Sequence, residues 1–349
     1  MIKTLPAVAL LVIAVISIKS AIASNFPLMP EAVTNNGVAQ VTTSKGHYLL
    51  SFMGLSSTKD HLGVHSKVWA LKVGDNQWQR KTDVPSSIMP KGRLASTAIG
   101  VGKYAYVFGG YTVDAEHNEI SSPDVFRYDV EQDKYVSLAS MPVPVDDTSA
   151  VLYQNRYIYL LSGWHNDGNV NLVQVFDIET NTWQQASPFL GQPVFGQAAA
   201  IIQQHILVCD GVAVIAKPDA RRGFKGVAQC LLGKIDDKNP LKIDWRTIAH
   251  PSSEGRYRMA ANANDKSFIF VGGSTNPYNY NGVGYNGEPS MPNHAIWYFD
   301  LASKSWRIDK SEQASMDHRG LLKLNGQYIT LGGMRENQQV SKDVTVHIR

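Results

Sequence analysis

An apolar run that ends in glycine recurs six times along this chain. The runs are LLSFMG ending at Gly54, YVFGG at Gly110, YLLSG at Gly163, LVCDG at Gly211, FVGG at Gly273 and TLGG at Gly333. Successive last glycines lie 56, 53, 48, 62 and 60 residues apart. A repeat of this length is one supersecondary unit, and stacking several such units is what buries a continuous core. The chain is therefore read as six copies of one unit.

Each unit has a second half. VWALKVGDNQW, VFRYDVEQDKY, VQVFDIETNTW, LLGKIDDKNPLKIDW and IWYFDLASKSW all alternate in strand fashion, pass a polar turn and reach an aromatic: Trp78, Tyr135, Trp183, Trp245 and Trp306. The sixth copy stops at VTVHIR, Val344 to Arg349, without that ending. The stretch NFPLMP, Asn25 to Pro30, matches the SLASMP that closes the second copy, so the N-terminal strand is expected to complete the last unit. Closure of this kind removes the free sheet edges of an open array.

The pattern is similar to the kelch repeat over nearly the whole chain. That resemblance implies an all-β fold, a six-bladed β-propeller with four strands per blade. Glycines suit strand ends crowded at an axis, and the aromatics fill the space between sheets.

In such a fold the loops between strands 2 and 3 share one face with the loops leading into strand 1. The first set is long and irregular, and includes VAVIAKPDARRGF, Val212 to Phe224, and NPYNYNGVGYNG. The second set carries Arg93, Asp146, Asp147, Gln197, Arg256, Arg258, His318 and Arg319. With Arg221, Arg222 and Arg335 added, the arginines are expected to surround one mouth of the channel. Their planar forks suit a carboxylate or phosphate, and a focused positive mouth draws in a small anion. Pairing with Asp146, Asp147, Glu254 and Asp317 is the alternative. Tyr111, Trp164, Tyr278, Tyr280 and Tyr285 fall on the same face, as a sugar's apolar faces would want.

A closer resemblance is to the bacterial N-acetylneuraminate epimerases, or sialic acid mutarotases, which are exported six-bladed kelch proteins. It rests on the leader, the N-terminal strand, PKGRLASTAI and above all AKPDAR, Ala216 to Arg221. That family carries Glu-Ala-Lys-Pro-x-x-Arg here, with the Glu as proposed base and the Arg on the substrate. Lys217, Pro218 and Arg221 match, whereas Ile215 stands at the Glu position. The resemblance implies a sugar-acid ligand held by Arg221, and the loop positions add Arg93, Lys217, Arg256, Arg258, Arg319, Tyr111 and Trp164 as candidate binding residues. Opening and reclosing a sugar ring needs a base and an acid, and isoleucine is neither. Asp219, Glu288 and His318 are the candidate replacements. A non-catalytic propeller that binds a carbohydrate or a protein is the alternative function.

The first 23 residues read as a secretory signal: Lys3, an apolar middle, then Ala21-Ile22-Ala23. The expected mature product is one propeller domain over residues 24–349, periplasmic or secreted and free of the membrane. Formal charge is +3, or +1 without Lys3 and Lys19, which gives no support to nucleic-acid binding. No cofactor or metal is expected. Copper oxidase chemistry would need a Cys linked to a Tyr and paired histidines, but the histidines form no close ligand motif. Cys209 and Cys230, the two cysteines, flank the Val212 to Phe224 loop, either joined as a disulfide or as buried thiols.

Overall fold

The computed structural model describes residues 26–348, so the leader expected over residues 1–23 lies outside the described residues. The all-β reading holds. Apart from two 3-10 turns, His61–Gly63 and Glu336–Gln338, the described residues contain no helix, and no helix is long and apolar enough to cross a membrane.

Six antiparallel blade sheets of three or four strands follow one another along the described residues, beside three two-stranded hairpins. Blade 1 is made of Gly37–Thr43, Gly46–Leu55, Val64–Lys72 and Gln79–Lys81 in that order. Blades 2 to 5 repeat the four-strand meander over residues 97–137, 149–185, 198–248 and 260–315. Second strands such as Tyr157–Leu161 are buried on both faces, because each blade is covered by a neighbour on either side.

Apolar clusters lie between consecutive blades all the way round. Leu50, Phe52 and Val68 of blade 1 meet Val107 and Tyr128 of blade 2. At the opposite end of the chain, Leu322, Ile329 and Leu331 of blade 6 meet Leu49 and Leu71 of blade 1, with Met29 and Trp78 in the same cluster. The aromatics also clip blades together by hydrogen bonds. The Nε1 of Trp183 donates to Ala139 O at 2.8 Å and that of Trp306 to Ala249 O at 2.7 Å. Trp78 makes the same bond across the seam, to Pro27 O at 3.0 Å.

Blade 6 has three strands, Leu322–Leu324, Gln327–Leu331 and Val344–Ile348. The fourth strand expected from the N-terminus is not formed among the described residues. Met29 N donates to Lys342 O at 2.8 Å, the bond that Met141 N makes to Pro123 O in blade 2. In blade 2 the outer strand, Lys134–Ser137, precedes that methionine by several residues, and the corresponding positions before Phe26 lie outside the described residues.

The glycine pairs answer to space. Gly110 has φ +86°, and a Cβ there would stand 2.1 Å from Ser96 Oγ and 2.6 Å from Leu94 O. Only glycine lets the end of the second strand pass so close to the loop leading into the first.

Cys209 and Cys230 sit opposite each other on neighbouring strands of blade 4 and form a disulfide. The oxidised alternative is the one present.

Candidate functional site at the loop-rich mouth

A ring of residues with left-handed backbone marks the axis at this face: Asn35, Ala95, Asp147, Gly196, Arg258 and Asp317, with φ between 46° and 69°. Each blade hands its N–H to the previous carbonyl. Ala95 N donates to Asn35 O at 3.1 Å, Asp147 N to Ala95 O at 3.0 Å, Gly196 N to Asp147 O at 2.8 Å and Arg258 N to Gly196 O at 2.8 Å. Blade 6 slips by one residue, so that His318 N donates to Arg258 O at 3.1 Å. The last position is filled by a side chain, since Asn35 N donates to Asp317 Oδ2 at 3.1 Å.

Four charges are packed inside this ring. Arg258 pairs with Asp147 and, at 3.0 Å, with Asp317. Arg319 pairs with the same two carboxylates at 2.8 and 3.3 Å. Thr34 and Asn35 Nδ2 also donate to Asp317. Burial pushes the Asp317 carboxyl up, but Arg258, Arg319 and Thr34 outweigh it and hold it below the ordinary range. Two arginines and two aspartates cancel in charge. The axial channel behind this network is a cavity of about 240 Å³ walled by small residues such as Ala39, Ala98, Ala150 and Ala198.

The exposed, positive mouth that the arginine count suggests is therefore not what the fold builds. Arg93 is 1 % exposed and donates to Ser122 Oγ, Asp124 Oδ2 and Pro85 O at 2.9, 3.2 and 2.8 Å. Arg256 lies under Trp297 with its guanidinium carbon 3.6 Å from the ring centroid, and donates to Gly272 O and Ala295 O. Burial lowers its pKa to about 9. Arg335 is held by Asp343 and Ala314 O. Arg93 and Arg256 are thus turned into the protein interior, and Arg335 ties blade 6 to Ala314 of blade 5.

Above the network lies an aromatic belt. Trp164, Phe195, Tyr257 and Tyr278 follow one another edge to face, at centroid distances of 5.2, 5.5 and 5.0 Å. Tyr257 donates to Asp147 Oδ2 at 3.1 Å, which ties the belt to the charges below. Phe224 stacks on Tyr285 at 4.1 Å and meets both Trp164 and Phe195.

Three hairpins stand on this face: Tyr111–Val113 with Glu119–Ser121, Trp164–His165 with Gly168–Asn169, and Val212–Lys217 with Ala220–Gly226. Asparagines lock them side by side. Ser121 N donates to Asn166 Oδ1 and Asn166 N to Ser121 Oγ, both at 3.1 Å, while Val214 N donates to Asn169 Oδ1 at 2.8 Å. The wall is thus continuous from blade 2 to blade 4.

Strand alternation decides which arginine of the third hairpin faces the belt. Val214 pairs with Phe224 and Ile215 with Gly223. Val214 and Phe224 pack on the belt, so Arg222 shares their side, its guanidinium carbon 4.7 Å over the Trp164 ring. Arg221 is on the other side with Ile215 and Lys217; its side chain is 71 % exposed and pairs with Asp167 at 2.5 Å. Arg222 donates to Asp167 O at 3.1 Å, and its contact with the Asp167 carboxylate is long, 3.5 Å.

The candidate bases do not converge. Asp219 and Glu288 are exposed on loops. His318 is buried and turns into blade 6 against Gly333, its Nε2 without a partner; burial together with His347 and Arg335 holds its pKa well below the ordinary value. Glu119 was not singled out by the sequence. It stands on the first hairpin, where desolvation by its surroundings, helped by Asp147 and opposed by Arg258 and Arg222, raises its carboxyl above the ordinary range. Asp146 beside it is buried, accepts from Ser121 Oγ at 2.6 Å, and is pushed well up by burial and by Asp147.

Among the described residues one group of side chains has metal-ligand spacing, Asp210 with Cys230 and His250. Cys230 is consumed by the disulfide, and Asp210 is engaged by His250 Nε2 at 2.6 Å and Arg256 N at 2.7 Å. As it stands this group offers no thiolate to a metal.

Comparison with known proteins agrees with the repeat. Residues 14–213 match a family model described as the KLHDC2/KLHL20/DRC7 Kelch-repeats domain. Human Kelch-like protein 33 is 30% identical over 110 residues, covering 32% of this chain and 20% of that protein. The Leucine-zipper-like transcriptional regulator 1 homolog of Drosophila melanogaster is 24% identical over 263 residues, covering 70% of this chain and 24% of its own length. The chain thus spans about a fifth to a quarter of the curated relatives it matches. The solved structure of YjhT superposes with a TM-score of 0.70 over 92% of this chain and 96% of that one, at 18% identity, a likeness of fold.

Proposed function

This chain belongs to the kelch-repeat domain family, and from that premise we propose that it is an exported propeller whose loop-rich mouth binds a small anionic sugar and interconverts its anomers. One observation carries the reading: Arg222 lies over the Trp164 ring beside the stacked pair Phe224 and Tyr285, with only a long contact to a carboxylate. A partly exposed guanidinium next to aromatic faces supplies a fork for a carboxylate and a surface for the apolar side of a sugar ring. The similarity of AKPDAR to the sialic acid epimerases makes N-acetylneuraminate the ligand to try. Export rests on the leader-like first 23 residues.

Saturation-transfer NMR of N-acetylneuraminate with the mature chain tests this ligand class. Transfer that is strong for the wild type and absent from Arg222→Ala supports it; equal transfer to both moves the ligand elsewhere.

A second reading is a protein-binding propeller. It is favoured by apolar side chains on the same loops, where Leu62 is 80 %, Ile120 49 % and Met291 54 % exposed. Exposed apolar side chains gathered on one face are a common mark of an interaction surface.

A further inference from the structure

We propose that Glu119 is the proton-transfer residue of this basin, a carboxylate supplied by blade 2 where the sequence of blade 4 offers Ile215. The inference rests on the reading of the basin as an anionic-sugar site and assigns its chemistry.

Elimination narrows the choice. Asp147 and Asp317 are each bound to both Arg258 and Arg319. Asp146 is sealed against Ser121. Asp167 serves Arg221 and Arg222. No hydrogen bond or ion pair among the described residues occupies the Glu119 carboxylate.

Its direction follows from its strand. Glu119–Ser121 alternates, and the Ser121 side chain is buried toward the axis, where its Oγ reaches Asp146 Oδ2 at 2.6 Å. Glu119 is two residues away and so projects from the same side of the strand, while Ile120 faces solvent. The strand that carries it is bonded through Ser121 to Asn166 of the second hairpin, the hairpin whose Trp164 ring lies under Arg222. Glu119 and Arg222 are therefore carried by hairpins of two different blades that stand side by side on one face.

The step balances without a co-reactant. Glu119 takes the proton of the anomeric hydroxyl as the bond from the anomeric carbon to the ring oxygen breaks and the carbonyl forms. The ring oxygen takes a proton from water, and the hydroxide left behind is neutralised when the ring closes again. After the carbonyl presents its other face, the ring hydroxyl adds to it and returns its proton to water, and Glu119 gives its proton back to the new anomeric oxygen. A carboxylate whose pKa is raised by desolvation is a better acceptor than an ordinary one.

The test compares wild type, Glu119→Gln and Glu119→Asp, each as the mature chain, in anomer exchange of N-acetylneuraminate followed by proton NMR, with saturation transfer as the binding readout. The expected result is a loss of about 100-fold or more in acceleration for Glu119→Gln with binding retained, and partial recovery in Glu119→Asp. The wild-type acceleration should fall on acidification through the raised carboxylate range, and Glu119→Gln should lack that fall. The charges facing the group are Arg258, Arg222, Asp146, Asp147 and His117, with the hydroxyls of Tyr111, Tyr280 and Tyr285. Full acceleration by Glu119→Gln overturns the assignment and leaves the enzyme reading intact. A wild type that binds without acceleration overturns both the assignment and the enzyme reading, and one that does not bind overturns the ligand class as well.

Discussion

The backbone N–H of Asn35 donates to Asp317 Oδ2 at 3.1 Å, so a side chain joins the first blade to the last in a ring that carbonyls join elsewhere. The same carboxylate receives Arg258, Arg319 and Thr34. Removing it leaves two buried guanidinium groups to share the single carboxylate of Asp147. Breaking such a pair from one side costs about 3–5 kcal/mol. Asp317→Ala should therefore lower the unfolding free energy by about that amount, read by urea denaturation, and Asp317→Asn by less. A cost under about 1 kcal/mol for Asp317→Ala would mean that the seam is held by packing alone.

Acid should weaken the fold through its buried histidines. Burial lowers the pKa of His65 to about 4 and that of His347 to about 3, and neither ring has a neighbouring carboxylate bonded to it. A folded pKa below the unfolded one means stability that is complete above the ordinary histidine range and is lost as pH falls toward the folded value. Unfolding free energy should thus decline from about pH 6.5 downward. His65→Gln should flatten part of that slope, measured by denaturation at a series of pH values; an unchanged slope would assign the acid sensitivity to other groups.

The repeat made most of the fold legible, because every blade spends its glycines and aromatics in the same way. Gly110 and Gly333, Trp183 and Trp306 do locally what their spacing implied. The site was harder to read because charge pairs there join residues far apart in sequence. Arg258 meets Asp147 and Asp317 only once six blades have closed, and a count of arginines carries no trace of that cancellation. The pair Arg221 and Arg222 shows the finer limit. Their order in the chain is plain, but which of them faces the aromatic belt depends on the hairpin register, with Ile215 opposite Gly223. Glu119 and Ser121 share a side by simple alternation, a signal present in NEIS, yet nothing local says that this side meets the axis.

The disulfide should matter to stability. Cys209 and Cys230 are separated by 21 positions, and a loop of that size corresponds to about 3 kcal/mol in the chain-entropy account. Thiol titration of the unfolded, unreduced chain should find no free thiol. The double variant Cys209→Ala with Cys230→Ala should unfold at lower urea than wild type, and two titratable thiols in the native isolate would contradict the bond.

Adjacent arginines should separate in function. Arg222→Ala should weaken binding of N-acetylneuraminate by about 2 kcal/mol, roughly thirtyfold, as befits a lost charge-assisted contact. Arg221→Ala should change it little, since that side chain points to solvent beside Asp167. Calorimetric titration of both variants checks this, and a larger loss in Arg221→Ala would mean that the hairpin turns over when ligand binds.

The most direct measurement of the central claim is the rate at which freshly dissolved α-N-acetylneuraminate approaches its anomeric equilibrium, followed by one-dimensional proton NMR with and without the mature protein. The account predicts faster equilibration in proportion to protein added, strongly reduced by Arg222→Ala at sugar concentrations below saturation. A rate identical to that of buffer, at protein concentrations where the sugar is bound, would contradict it and leave a propeller that holds its ligand without turning it over.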